Sequence, residues 1–322
     1  MAKTIIGWLG CDSSGKAQNT GVQTCIIDPK LFEDIIFIPK GDVITPTEAL
    51  SLTSKINSML VHDNPNKRWY PINDLVGCED KSSEYTVETA GYGGQFYGND
   101  GKQFFMFAHK SGLTMHKQYR KFHQMQEKYD FISVDRKNKI LVGVEKGADF
   151  GGFNLENIIV PDWKLSTGAA AMYNVGVALQ DSTEWNDSIT FIKMPTDLLP
   201  TSIRGLKQTA IKVTGTGTFS SLRVATFQVV TPHGNMYSTY KTEILASTGA
   251  VIKCYNTATG ASLTTSTITG DDVTEQFTIT LGATGFPGTA GDEITLKFGP
   301  VSDLITATIP GFSECELNIA RA

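Results

Sequence analysis

Charge is scarce in this chain: Lys, Arg, Asp and Glu make up 19% of its 322 residues, below the roughly 25% of an average soluble domain. The net charge is -5 and the pI near 5.6. With no basic excess to hold phosphates, the composition argues against a dedicated nucleic-acid binder. Long apolar runs are also missing. The Ile35 to Ile38 run is four residues against the roughly 20 a spanning helix needs, so no transmembrane helix is expected. The opening residues Met1 to Gly10 hold one cation and an apolar stretch too short for a secretory core, which points to synthesis in the cytoplasm. Five cysteines (Cys11, Cys25, Cys78, Cys254, Cys315) are far apart and form no CxxC pair, so neither a disulfide framework nor a zinc site is indicated. What is present, 40% hydrophobic residues, is too apolar for a disordered chain and is enough for two domains with cores of their own.

Texture divides the chain. Only 8 of the 28 Lys and Arg and 9 of the 33 Asp and Glu lie beyond Pro200, where Thr, Ser, Gly and Val dominate. Pro195 and Pro200 bracket a segment unsuited to regular structure, placing the boundary in Met194 to Pro200. Beyond it, Phe277, Ile279 and Leu281 alternate with polar residues, as do Ile294, Leu296 and Phe298, and Cys315, Leu317 and Ile319. Ile211 with Val213 and Leu222 with Val224 continue the pattern. Period two means half-buried strands. Turn glycines Gly215, Gly234, Gly249, Gly260, Gly270 and Gly291 separate the runs. Short strands at such intervals predict an antiparallel β-sandwich of immunoglobulin-like architecture over 200–322, without the Cys-Trp-Cys hallmark of antibody domains.

The first part, 1–194, reads as strands at Thr4 to Leu9, Val22 to Ile27, Asp34 to Ile38, Tyr85 to Thr89, Gln103 to Ala108, Phe131 to Asp135, Lys139 to Val144 and Met172 to Gln180. Two helices interrupt them. Thr45 and Glu48 form a capping box with Pro46 at the first helical position, and Ala49, Leu52, Ile56, Met59 and Leu60 follow at helical spacing. Met115, Tyr119, Phe122 and Met125 predict a second helix from Leu113 to Gln126. The fold class is therefore α+β, mainly β.

Few residues suggest chemistry. Gly10 to Lys16 has the spacing of a phosphate-binding loop, but Ala17 stands where a magnesium-holding hydroxyl belongs, and a strand rather than a helix follows. A hairpin loop is the better reading. The second helix concentrates Lys117, Arg120 and Lys121 with His116 and His123, flanked by Lys110 and Lys128. Tyr119 could stack on a base there, yet a solvated or subunit-contacting helix needs nothing further. The two histidines sit two turns apart, about 10.5 Å along a straight helix, too far to share a metal. Asp12, Asp28, Asp34, Asp130 and Asp135 form no paired motif. Glycine-rich Gly91 to Gln95 and Gly147 to Gly152 have the look of functional loops, and equally that of strand connections needing positive φ. GxSxG and HExxH are absent. No enzyme activity, cofactor or metal is expected.

The order of features resembles a known family. Glu84 to Phe107 (EYTVETAGYGGQFYGNDGKQFFMF) is followed by the helix with Tyr119, Arg120, Lys121 and Phe122. Next come Phe131 to Asp135, Lys139 to Gly143, and Met172 to Val177. This layout is similar to the tube-type domain of tailed-bacteriophage tail tube proteins, and the trailing sandwich resembles the immunoglobulin-like decoration such proteins carry. The resemblance implies a tube-type β-sandwich or barrel domain with two helices, ring formation, commonly hexameric, and stacking of rings into a conduit for DNA. It implies a virion tail location. The partners are copies of itself, other phage tail proteins and DNA that passes through the lumen without specific binding, with no membrane insertion. On this reading edge strands become the assembly surface, and an acidic chain suits a DNA conduit.

The long connection Asp63 to Glu84 is expected to reach a neighbouring subunit, with Trp69 and Tyr70 as apolar anchors. The second helix is expected to cover the barrel from outside with Met115, Tyr119 and Phe122. Alternatives are a capsid, connector-ring or adaptor component of the virion, or a carbohydrate- or surface-binding sandwich. Against the last, Trp8, Trp69, Trp163 and Trp185 all precede the sandwich.

Overall fold

The computed structural model describes residues 34–73, 75–84, 86–89, 95–99, 101–163, 173–186, 188–199, 203–215, 217–220, 222–232, 234–247 and 249–322. The chain divides into two compact units, one holding Asn64–Gly205 with the segment ending at Leu60, the other Leu206–Ala322 with Val61–Asp63. The seam falls just beyond the proline-bracketed segment. The strands expected at Thr4 to Leu9 and Val22 to Ile27, the Gly10 to Lys16 loop, Asp12 and Asp28 lie outside the described residues, as do Gly91 to Gly94.

In the first unit the strands are β1 (Asp34–Pro39), β2 (Val43–Ile44), β3 (Tyr70–Ile72), β4 (Leu75–Asp80), β5 (Thr86–Thr89), β6 (Gln95–Asn99), β7 (Phe104–His109), β8 (Tyr129–Asp135), β9 (Ile140–Lys146), β10 (Asp149–Gly151), β11 (Leu155–Ile159), β12 (Tyr173–Leu179) and β13 (Ile189–Lys193). The helices are α1 (Pro46–Ala49), α2 (Leu52–Leu60), α3 (Gly112–Tyr119) and α4 (Ser182–Asn186). One sheet runs β2-β10-β9-β8-β1-β3 with β13 paired to β9, a second runs β11-β12-β7-β4, and β5 pairs with β6. All pairings are antiparallel. Ile35, Phe37, Phe131 and Val142 of the first sheet share one core with Phe105, Phe107, Val175 and Val177 of the second. The alternate residues Ile36, Ile38, Ile132, Val134 and Leu141 are buried too. Strands written as nearly unbroken apolar runs are covered on both faces, and α2 carries a matching buried stripe of Leu52, Ile56 and Leu60. Each such aliphatic side chain contributes about 1.5–3 kcal/mol on full burial.

The capping box forms: Thr45 Oγ1 accepts the Glu48 N–H at 3.3 Å and Glu48 Oε2 accepts the Thr45 N–H at 2.9 Å. That first helix is nonetheless two. It breaks at Leu50 and Ser51, and Leu50 is 78% exposed. The second predicted helix is shorter than Leu113 to Gln126. It ends at Tyr119, continues as a 3-10 turn through Phe122, and stops before Gln124, whose φ of 59° no right-handed helix accommodates. Nor is Asp63 to Glu84 a loop. It contains β3 and β4, and Pro71 is tolerated because β3 is an edge strand, with Ile72 opposite Ile35 and Pro71 opposite Ile36.

The second unit contains β14 (Ala210–Thr214), β15 (Val224–Thr231), β16 (Gly234–Asn235), β17 (Ile252–Asn256), β18 (Ser262–Leu263), β19 (Thr265–Asp271), β20 (Gln276–Leu281), β21 (Glu293–Phe298) and β22 (Cys315–Ala320), with helices α5 (Tyr237–Ala246) and α6 (Val301–Thr306). Two antiparallel sheets, β14-β15-β20-β19 with β16 on β15, and β18-β17-β21-β22, meet at one core. Phe227, Phe277 and Ile279 enter it from the first, Ile252, Leu296 and Phe298 from the second, as the period-two pattern requires. Ile244 and Leu304 bring both helices into that core. Two details differ from expectation. Leu222 precedes β15 and is 75% exposed. Gly270 lies inside β19 rather than in a turn, because Tyr237 fills the space beside it: a Cβ there would sit 2.5 Å from the tyrosine oxygen.

Candidate functional site

The four-stranded sheet of the first unit has two unlike faces. Its inner face, with Phe105, Phe107, Val175, Val177, Leu155 and Ile158, is core. Register fixes what the other face presents. Ile159, Gly176, Met106 and Glu79 lie in one cross-strand row, Asn157, Ala178 and Phe104 in a second, and Asn174, Ala108 and Gly77 in a third. Phe104 and Met106 are half-buried, leaning over Gly176, where a Cβ would meet the Phe104 ring at 3.0 Å and the Met106 methyl at 3.3 Å. On the two central strands this face has no charged side chain. At its margin β4 is an edge strand, exposed from Val76 to Asp80. An edge with unpaired N–H and C=O groups is a template for another strand.

Helices close the ends of this sandwich. At one end Trp185 of α4 stands 4.7 Å from Phe105 and 5.4 Å from Phe153, ring centroid to ring centroid. At the other, α3 places His116 and Tyr119 against His109 at the end of β7 and Tyr173 at the start of β12. His109 and His116 are 0% and 1% exposed. Their protons can be assigned. His116 Nε2 lies 2.9 Å from the Pro161 carbonyl and so donates to it, which leaves His116 Nδ1 to accept from His109 Nε2 at 3.4 Å. His109 Nδ1 is then a buried lone pair with no partner. Burial, then the neighbouring His116, pushes the His109 imidazole down to about 4.

The depressed value means the folded state keeps His109 neutral while the unfolded chain takes up a proton below about pH 6.5. Stability is full above that pH and is lost as pH falls from 6.5 towards 4, with a slope approaching about 1.4 kcal/mol per pH unit. His109→Phe is expected to flatten this part of the profile. Urea unfolding at pH 7.5, 5.5 and 4.5 checks it; equal acid sensitivity in both proteins would show that other groups carry the effect.

The residues singled out from sequence are distributed differently from expectation. Trp69 is 1% exposed and its Nε1 donates to Asp42 Oδ2 at 2.7 Å, so it is a core residue and not an anchor for a neighbour. Tyr70 is half-buried, its hydroxyl donating to the Pro65 carbonyl at 2.8 Å and its ring 5.3 Å from Phe122 and 5.9 Å from Tyr129. Of the three residues expected to cover the barrel, Tyr119 and Phe122 pack on the inter-sheet core, whereas Met115 is 42% exposed. The helix caps an end of the sandwich, so only its Tyr119 side meets the core. Lys110, Lys117, Lys121 and Lys128 are exposed and Arg120 pairs with Asp162. His123 Nδ1 accepts the Val160 N–H at 3.1 Å, next to Pro161, whose carbonyl takes the His116 Nε2 proton.

The carboxylates serve the fold. Asp34 takes Arg136 in two bonds of 2.6 and 2.5 Å, and Asp135 receives the Asn138 N–H and amide at 2.9 and 2.7 Å. Asp130, 0% exposed, accepts the Gly41 N–H at 2.9 Å and Lys146 Nζ at 3.0 Å. Lys146 reaches on to Asn154 at 3.3 Å, and Asn154 in turn bonds Glu184, whose carboxyl burial pushes up. Among the described residues no group of three His, Cys, Asp or Glu is placed to hold a metal.

Phe104 and Met106 were not singled out in sequence, although a signal existed. The run FFMFAH has no polar alternation, which in a strand means apolar surroundings on both faces. No family profile matches the chain, and no curated protein matches it at a significant level.

Proposed function

We propose that this chain is a structural protein that joins copies of itself into rings, the stacked, hexameric rings of a tail tube that conducts DNA in a tailed-bacteriophage virion. The second unit is the immunoglobulin-like decoration of that tube, its two antiparallel sheets being the architecture such a module requires. The observation that carries the reading is β7: a strand composed for two-sided burial whose outer residues Phe104 and Met106 stay partly open in one protomer, beside the exposed edge β4. A second copy laid along β4 would extend the sheet, and repetition around an axis would close a ring. A net charge of -5 leaves passing DNA unbound.

Negative-stain microscopy and sedimentation velocity of the purified chain test this. Rings or tubes are expected from the natural sequence. Phe104→Asp with Met106→Glu should give monomers with a Tm close to the original, since both positions are already part-exposed. A natural chain that stays monomeric at high concentration, or a double variant that assembles equally well, rejects the proposal.

A further inference from the structure

The two packed sheets of the first unit end in strands with a neighbour on one side: β4 and β11 in one, β2, β3 and β13 in the other. Three of these are closed to a further strand. On β11 the Ile158 carbonyl accepts the Gln124 N–H at 2.9 Å, and the Val160 N–H just beyond goes to His123 Nδ1 at 3.1 Å. β3 contains Pro71, which has no N–H to offer, and Gly205 lies against it, a Cβ there falling 3.6 Å from Pro71 Cδ. β2 is two residues long and runs straight into the Thr45 cap of α1. β4 and β13 remain.

Their bonding shows which groups point outward. Glu145 donates to the Ser188 carbonyl at 2.9 Å and Met194 to that of Lys139 at 2.8 Å, so the even-numbered residues of β13 face β9. Ile189, Phe191 and Lys193 therefore turn their N–H and C=O groups away. Lys81 and Ser83 donate to the carbonyls of Phe104 and Lys102 at 2.8 and 2.9 Å, which likewise turns the backbone groups of Cys78 and Asp80 away from β7. Among the described residues none of these outward groups has a hydrogen-bond partner. The side chains of both sets lie on the core side. Cys78 and Asp80 are in register with Phe107 and Phe105, and Ile189 and Phe191 pack, part-buried, on the same core.

We infer that β13 of one copy pairs antiparallel with β4 of the next. In an antiparallel ladder outward residues meet residue to residue, so this sense continues the core face from copy to copy. A parallel ladder would set Cys78 beside Thr190 or Ile192, whose side chains face the other way. Charge agrees: β4 carries Glu79 and Asp80 and no cation, β13 carries Lys193 and no carboxylate. Pairing β4 with itself would line up the carboxylates of both copies and close a two-fold dimer that uses up the edge. Two unlike edges repeat from copy to copy, as a ring requires. This inference rests on the assembly reading and names the strand that meets β4.

Disulfide trapping in the full chain tests it. Cys78 is exposed; Ile189→Cys, Phe191→Cys and Lys193→Cys are introduced one at a time and oxidised with diamide. Facing residues of antiparallel strands lie about 4.5–5.5 Å apart, within disulfide reach. At least one variant is expected to give dimers, trimers and larger species on a non-reducing gel, since each copy carries both halves of the link. Adding Cys78→Ser should abolish the ladder, and Lys121→Cys, at an exposed position on the 3-10 turn, should give none. Lys193→Pro removes one outward N–H without touching a bond to β9. It should raise the concentration needed for assembly about tenfold or more while leaving Tm nearly unchanged. No ladder from any variant, or no effect of Lys193→Pro, overturns the pairing; if rings are still seen, the assembly reading stands. Links through Cys78 alone that stop at dimers would mean that β4 pairs with itself and overturn it too. A natural chain that stays monomeric overturns both.

Discussion

Lys146→Met is expected to destabilise the first unit by about 3–5 kcal/mol, the cost of leaving a buried carboxylate without its counter-ion. Asp130 is fully buried and its Oδ1 has no hydrogen-bond partner, so Oδ2 carries all of its compensation: the Gly41 N–H and Lys146. The reverse change, Asp130→Asn, should cost less. Lys146 keeps 24% of its side-chain surface exposed and also holds Asn154, so its ammonium can turn to water. The double variant Asp130→Asn with Lys146→Met should therefore recover much of the loss of Lys146→Met alone. All four tryptophans precede residue 200, so tryptophan fluorescence in urea reports this unit without the second. A loss below about 1 kcal/mol for Lys146→Met, as for an exposed pair, would show that Asp130 is solvated in solution.

How much of this was legible in the sequence depends on how local the cause was. The capping box at Thr45 and Glu48 is written within four residues and forms as read. Strands whose burial is one-sided, such as Phe277, Ile279 and Leu281, declare themselves by alternation and enter the core as expected. The α5 helix was missed because its first four residues, Tyr237 to Tyr240, include no strong helix former and Met236 stands at its N-cap; the Asn235 side chain accepts the Tyr237 N–H at 3.0 Å, and Tyr237 and Ile244 hold the helix by packing on the sheets. Trp69 shows the limit for the site. An aromatic in a proline- and asparagine-rich stretch looks like a surface anchor, but whether it is buried depends on Asp42, 27 residues earlier, which receives its indole N–H. His109 and His116 became a pair for the same reason, since β7 and α3 are brought together only by the fold. The converse holds for β7. Its composition was on view from the start, and only the structure distinguishes the face that the protomer covers from the face it leaves part-open.

Gly143→Ala is expected to cost about 3 kcal/mol or more, although one methyl group is added to a strand with ordinary φ. The added Cβ would sit 2.3 Å from the Gly151 carbonyl oxygen and 2.8 Å from the Phe150 ring. A flexible side chain could turn away from such a contact, but the oxygen belongs to β10, which is tied to β9 by Val144 opposite Gly151 and Glu145 opposite Phe150. On its other flank β9 is fixed by β13, where Thr190 faces Gly143. The hairpin must then open, and Phe150, 0% exposed, must leave the space that Gly143 vacates. Overpacking of this kind costs about 1–3 kcal/mol when side chains can adjust, and more when backbone must move. Gly77→Ala in the edge strand β4 is the matched control. Nothing lies within 4 Å of a Cβ there, and its effect should stay within about 0.5 kcal/mol. Equal effects at the two positions, read by tryptophan fluorescence in urea, would mean that the β9–β10 hairpin yields as easily as a free edge.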